Sequence, residues 1–399
     1  MKPNWQTKKL GEVCVVGAGN SAPQKKEFFI DGIYPFFRTS DIGQIHIGRI
    51  TESSDYLNEK GIKGLKLFNK GTILLPKSGA STFLNHRVLL GIDGYVSSHL
   101  ATVKTDEKVL NSNYLFYFLQ EVKAQDLIQD HKYPSLNLPI IGNVEITFPP
   151  LPEQRRIVKI LDEVFADVAK AKENAEKNLQ NAKELFESYL QSVFANPTSA
   201  KATAGKPRKD WEERELGDIG KVSMCKRIFK HQTTKAGDVP FYKIGTFGKE
   251  PDAFISNKIY KEFRNKFSFP KKGDVLISAS GTIGRRVRYD GKPAYFQDSN
   301  IVWIDNDENQ VLNDYLYSFY GTCNWNATKG ATIPRLYNDN LKQIKISYPK
   351  SKTEQKEIVR KLDALFAETR KLETIYQQKL ADLEELKKSV LKRAFNGDL

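Results

Sequence analysis

From Leu151 to Asn196, apolar and small residues recur at steps alternating mainly between three and four: Ile157, Leu161, Val164, Val168, Ala171, Ala175, Leu179, Ala182, Leu185, Tyr189 and Val193. That stride draws one stripe along an α-helix and predicts a coiled-coil seam. It returns 201 residues later as Ile358, Leu362, Leu365, Thr369, Leu372, Tyr376, Leu380, Leu383, Leu386, Val390 and Ala394. Small residues in the first stripe (Ala171, Ala175, Ala182) stand at the same steps as large ones in the second (Leu372, Tyr376, Leu383), so the two helices are expected to interdigitate, antiparallel. The competing expectation is that each stripe packs on its own globular block. At about 1.5 Å per residue, each helix would be roughly 60 Å long.

The stripes belong to a longer duplication. Without a gap, Glu153-Gln154 falls on Glu354-Gln355, Leu161-Asp162 on Leu362-Asp363 and Phe165-Ala166 on Phe366-Ala367. More loosely, YPFFRTSDI near Pro35 matches VPFYKIGTF near Pro240, and KGTILLPKSGAS from Lys70 matches KGDVLISASGTIG from Lys272. NYLFYFL from Asn113 likewise matches DYLYSFY from Asp314. Short apolar runs such as GTILLP, YVSSHLATV, GDVLISAS and NIVWI, punctuated by Gly, Pro, Asn and Asp, read as strands, and YLFYFLQEV reads as a short helix. The fold class expected is α+β: two similar globular domains separated by two long antiparallel coiled-coil helices, with an internal pseudo-twofold repeat. The boundaries read are a first block at 1–150, a spacer helix at 151–197, a small-residue basic linker at 198–210, a second block at 211–350 and a second spacer helix at 351–399.

Charge adds a direction. The chain carries a formal +14, and residues 201–350 hold an excess of ten positive charges against three in residues 1–150. Such a surplus favours a polyanion, although charge alone speaks to association and not to fold. Three cysteines, Cys14, Cys225 and Cys323, are too dispersed for a metal knuckle or a disulfide framework, which fits a reducing cytoplasm. No long apolar run indicates a membrane span, and the polar start indicates no secretory leader.

VCVVGAGNSA, from Val13 to Ala22, has the glycine spacing of a dinucleotide fingerprint. That motif requires a helix directly after the glycines. Pro23, Gly32 and Pro35 break any helix there, and the second copy reads GKVSMCKRIFK at the same place. The reading is therefore a glycine-rich turn after an edge strand.

On P-P-L-P-E-Q-x-x-I-V-x-x-L-D from Pro149 to Asp162, E-Q-x-x-I-V-x-x-L-D from Glu354 to Asp363, K-x-x-V-L-x-x-A-F-x-G from Lys387 to Gly397 and the two-block plan, the chain resembles the specificity subunits of Type I restriction-modification enzymes. SYPKSKTEQ departs from the proline-rich lead of the first copy. The resemblance covers essentially the full length. It implies two target-recognition domains, each reading one half of a bipartite asymmetric double-stranded DNA site, and helices that set the gap. It also implies two adenine-methylating modification subunits docked on the chain, with restriction subunits joining to cleave. The chain itself would be non-catalytic and need no metal or cofactor; S-adenosylmethionine, ATP and Mg belong to the partners. No Asp/Asn-Pro-Pro-Tyr/Phe pattern and no Walker lysine loop occurs. Alternatives are a specificity subunit of a methyltransferase-only system, a coiled-coil protein scaffold with incidental charge, or an unrecognised nuclease.

The base readers are chosen by chemistry: Arg and Lys suit guanine, Asn suits adenine, and Ser or Thr suits phosphate or base. The first block offers Arg38, Lys77, Ser78, Ser81, Arg87, His99 and Tyr133. The second offers Lys243, Ser278, Ser280, Thr282, Arg285, Arg286, Asn300 and Arg335, with Lys243, Asn300 and Arg335 at places corresponding to Arg38, His99 and Ser135. Each alone reads more readily as a phosphate contact or an ordinary surface residue than as a base reader, and RRVRY reads equally as a half-buried strand face. For helix pairing and subunit docking the candidates are Ile157, Leu161, Phe165, Ile358, Leu362 and Phe366.

Overall fold

The computed structural model describes residues 4–128, 132, 134–194, 210–323, 325 and 335–399. Tyr133 and the expected linker, all but its last residue Asp210, lie outside them. Contacts divide the chain into two units, residues 1–176 with 378–399, and residues 177–377.

Each unit is built on the same sheets. In the first, a five-stranded sheet runs in the order Cys14–Ala18, Leu100–Thr105, Ile73–Pro76, Arg87–Leu90, Ile47–Ile50. In the second, Gly220–Ser223, Ile301–Asn306, Val275–Ser278 and Arg286–Arg288 repeat its first four positions. The fifth strand is particular to the first unit, where Ile47–Ile50 pairs parallel with Arg87–Leu90; the matching stretch of the second, between Val239–Tyr242 and Phe254–Ile255, is a run of turns, and a helix, Asn257–Lys266, follows it. A three-stranded sheet centred on Tyr34–Phe37 recurs around Val239–Tyr242. The chain entering and the chain leaving each block pair as a two-stranded ribbon, Gln6–Lys9 with Glu145–Phe148 and Trp211–Glu215 with Lys345–Pro349. The strands read from the apolar runs are all present, and YLFYFLQE lies in the helix Ser112–Glu121.

GAGNSA is no phosphate loop. Gly17 lies in the edge strand Cys14–Ala18, and a Cβ on Gly19 would come within 2.2 Å of the Ser97 carbonyl oxygen. The glycine is required because two backbones touch there.

The stripes form two continuous helices, Leu151–Phe194 and Lys352–Asn396. Within the first unit they run antiparallel: Arg156 donates to the Leu399 carbonyl at 2.7 Å, while Lys172 pairs with Glu384 at 2.8 Å. Within the second, Phe186 meets Phe366 at a ring separation of 5.4 Å. The helices pair as expected, whereas packing of a stripe on its own block holds only for the N-terminal part of each helix; the C-terminal part of each joins the other block's core. Ile157, Leu161, Val390, Leu391 and Ala394 join the core of the first block, and Leu190, Val193, Val359 and Leu362 join that of the second. Four predicted seam positions fail: Leu185, Tyr189, Leu372 and Leu386 are exposed. Phe186 and Leu190 are covered instead. A straight helix drifts about 20° per heptad against a 3.5-residue repeat, so the buried face advances by two steps of four at Ala182, Phe186 and Leu190.

Gln154 and Gln355, from the duplicated Glu-Gln pair, are both fully buried. Gln154 Oε1 accepts from Asn111 N at 2.8 Å, and its Nε2 donates to the Val109 and Pro149 carbonyls at 3.0 and 2.8 Å. Gln355 does the same with Leu312 N, Gln310 O and Pro349 O, at 2.8, 2.8 and 2.9 Å. The altered lead before the second helix leaves this arrangement intact, because Ser351 supplies the first-turn acceptor that Pro150 supplies in the first copy. Replacing Gln355 with Ala takes the partner from the buried Pro349 carbonyl and from the partly buried Leu312 amide and Gln310 carbonyl, and unpaired groups of that kind are costly. A loss of about 2–4 kcal/mol is expected, read as a lower denaturation midpoint; an unchanged midpoint would show that the clamp contributes nothing.

Arg87 also belongs to the frame and not to a DNA surface, correcting its expected role. It is buried, and its guanidinium donates to the carbonyls of His86, Leu119 and Val122, the last two at the C-terminal end of the helix Ser112–Glu121. Those carbonyls have no partner within the helix, and a cation there complements the helix dipole. Burial pulls the guanidinium down to about 10, still charged at neutral pH. Arg87→Met should lower stability by about 2–4 kcal/mol in thermal or chemical melts and leave DNA sequence preference unchanged; a shifted preference with normal stability would return Arg87 to the reading surface.

Candidate nucleic-acid interface

At the end of the strand Ile73–Pro76 the chain turns through Lys77-Ser78-Gly79, and at the end of Val275–Ser278 it turns through Ala279-Ser280-Gly281. Gly79 and Gly281 adopt left-handed φ values of 73° and 65°, conformations that favour glycine. Both turns are tied to the same two neighbouring segments. Lys77 N donates to His99 O at 3.0 Å, and Leu136 N to Lys77 O at 2.8 Å. In the second unit Ala279 N donates to Asn300 O at 2.7 Å, and Leu336 N to Ala279 O at 2.8 Å. Isolated bridges join Ser78 to Ser135 and Ser280 to Arg335.

Each tip therefore gathers three polar side chains from distant parts of the sequence. In the first, Ser78 Oγ lies 3.1 Å from His99 Nδ1 beside Ser135. In the second, Ser280 Oγ donates to Asn300 Oδ1 at 2.8 Å, and Arg335 reaches the Ser299 carbonyl at 3.4 Å. The serine is common; His99 faces the place of Asn300, and Ser135 that of Arg335. Ser135 was missed as a candidate, although projecting Arg335 back through the repeat identifies it. Ser81 folds onto the first tip, donating to Ser78 O at 3.1 Å, while Thr282 stands exposed on the second.

Other candidates separate from the tips. Arg38 pairs with Asp55 and lies over the rings of Phe29 and Phe36, and its counterpart Lys243 pairs with Asp252 at 2.8 Å. Ser278 is a correction: it is buried, donates to the Thr282 carbonyl and accepts Arg285 N at 2.9 Å, bracing the turn from inside. Arg285 donates to the Phe247 carbonyl at 3.0 Å. Arg286 lies over Tyr317 at 4.7 Å, and burial lowers its pKa. The strand-face reading of RRVRY is thus the one observed, with Arg286–Arg288 forming a strand whose arginines are half-buried. Among the helix candidates, Ile157, Leu161 and Leu362 are buried within their own units, Ile358 and Phe165 are half-buried, and Phe366 is exposed.

Among the described residues no group of three or more His, Cys, Asp or Glu is placed to hold a metal, and no helix is long and apolar enough to cross a membrane. Comparisons with known proteins meet this geometry from another side. A family model described as the type I restriction modification DNA specificity domain matches residues 2–178 and 208–383, once per copy of the repeat. A Haemophilus influenzae protein named as a type I restriction enzyme specificity subunit is 38% identical over 361 residues, covering 89% of this chain and 86% of its own. The MjaIX specificity subunit of Methanocaldococcus jannaschii is 22% identical over 378 residues, covering 87% and 83%. The fold is shared with a chain from a structural study of type I R-M complex assembly and conformational transition, at a TM-score of 0.77, 19% identity and coverage of 100% and 99%. It is shared also with the HsdS subunit from Thermoanaerobacter tengcongensis, at 0.64, 19%, 100% and 98%. Matched in both copies of its repeat, the chain belongs to the type I restriction modification DNA specificity family and is the non-catalytic specificity subunit of such a system.

Proposed function

We propose that the two tips each read one half of a bipartite asymmetric DNA site, with residues 1–150 and 211–350 as the target-recognition domains and 151–197 and 351–399 as the helices that set the gap. The observation that carries this reading is the equivalence of the tips in backbone and their difference in side chains. Ser78, His99 and Ser135 stand where Ser280, Asn300 and Arg335 stand. Equivalent frames present their edges to DNA alike, and unlike side chains read unlike bases. Arginine offers two parallel donors to guanine O6 and N7, and asparagine a donor and acceptor to adenine. Lys77, Ser81 and Thr282 border these groups; Arg38 and Lys243, each held by a carboxylate, supply flanking charge.

Two modification subunits that methylate adenine and restriction subunits that cleave are the proposed partners, in the cytoplasm. Exposed apolar side chains on the helices, Phe366, Leu372 and Ile375 foremost, give a modification subunit apolar surface to cover.

Co-expression with the modification subunit followed by mapping of every methylated adenine tests the reading. One split motif with unlike halves is expected. Asn300→Ala and Arg335→Ala should relax only one half and His99→Ala only the other, each lost base contact removing about 1–3 kcal/mol of discrimination. A change spread over both halves would refute the assignment. For docking, Leu372→Ser with Ile375→Ser should sharply reduce co-purification of the modification subunit while leaving the melt of the isolated chain in place; undiminished recovery would move the docking surface elsewhere.

A further inference from the structure

A cleft of about 660 Å3 opens in the second unit beside its tip and shares Ser299 and Asn300 with it. Arg227, Lys230, Lys235 and Lys243 line it, with Asp252 and Asp298 as its carboxylates. Both carboxylates are occupied: Arg227 pairs with Asp298, and Lys243 with Asp252, each at 2.8 Å. Lys230 and Lys235 are exposed, and neither has a carboxylate within ion-pair distance among the described residues. The cleft therefore presents two ammonium groups with no internal counter-charge.

Its wall is ordered by local bonds. The Thr233 hydroxyl donates to the Lys230 carbonyl at 2.8 Å, Gln232 Oε1 accepts Phe229 N at 2.9 Å, and the backbone of Thr234 exchanges two bonds with Phe254, both at 2.9 Å. Small-molecule pockets are mostly apolar with a few convergent polar groups, whereas this lining is mainly charged and polar. Lysine serves phosphate as a point charge on a flexible stem, and a strand whose bases meet Asn300 would carry its phosphates alongside.

We infer that this cleft seats the phosphodiester backbone of the DNA strand read by the second tip, Lys230 and Lys235 each neutralising one phosphate while Asn300 and Arg335 face the bases. The inference rests on the DNA-reading role proposed above. It assigns the cleft to register and affinity and the tip to sequence, since phosphate contacts position and base contacts specify.

The test uses the full chain with its modification subunit, a duplex carrying the mapped methylation motif, and the double variant Lys230→Ala with Lys235→Ala. Each neutralised phosphate contributes about 0.9 to the slope of log affinity against log salt, so the slope should shrink by about 1.8 and affinity fall roughly thirtyfold at about 0.15 M salt. The methylation motif should not change. An unaltered slope would remove the cleft from the DNA path. A motif altered at a base position would make the cleft a base reader, overturning the phosphate assignment. Absence of DNA binding and methylation by the wild-type complex would instead strike the DNA-reading role itself, which separates the two failures.

Discussion

The buried amide of Gln154, and again of Gln355, is the contact on which each unit's architecture turns. One side chain answers three backbone groups at once: a carbonyl from the exit strand, a carbonyl from the loop before a short helix, and the first amide at that helix's start. Those groups lie at a strand end, in a loop and at a helix start, where regular pairing gives out, and leaving them unpaired would be costly. The glutamine sits in the first turns of the long helix, so satisfying these groups also joins that helix to its block. A tyrosine reinforces the joint in each copy: Tyr114 and Tyr315 donate to the carbonyls of Thr147 and Ser347.

Around that joint the two units keep the same frame and vary what the frame displays. The serine and the left-handed glycine at each tip maintain the turn; the groups bridged to it differ, histidine against asparagine and serine against arginine. Such a division suits a protein whose structure must persist while its target changes. The second unit also carries most of the excess positive charge, and its basic cleft opens next to its tip.

Where reading by residue type went astray, burial was the cause. Arg87 and Ser278 have the chemistry of DNA contacts, yet their donors and acceptors are taken by the protein itself, a helix end in one case and a turn in the other. Arg286 is drawn onto Tyr317 in the same way. A guanidinium that terminates a helix and one that reads a guanine are indistinguishable in one dimension, because residue type does not say which backbone groups lie within its reach. The seam misassignment at Leu185 and Leu386 has a different origin: a fixed stride cannot follow a helix that turns every 3.6 residues.

The sequence by itself determined the duplication, the α+β blocks, the two long helices and the family, because each rests on spacing along the chain: an offset of 201, a stride of three and four, an alternation of apolar runs and turns. The loose match of Asn300 to His99 and of Arg335 to Ser135 was also legible there. Tertiary structure alone decided that these residues meet. The Ser78, His99 and Ser135 cluster joins segments more than fifty residues apart end to end, and only the pairing of strands and loops can bring such segments within hydrogen-bond reach. It also decided which polar side chains remain available to a ligand, since availability is what is left after the fold has satisfied its own backbone.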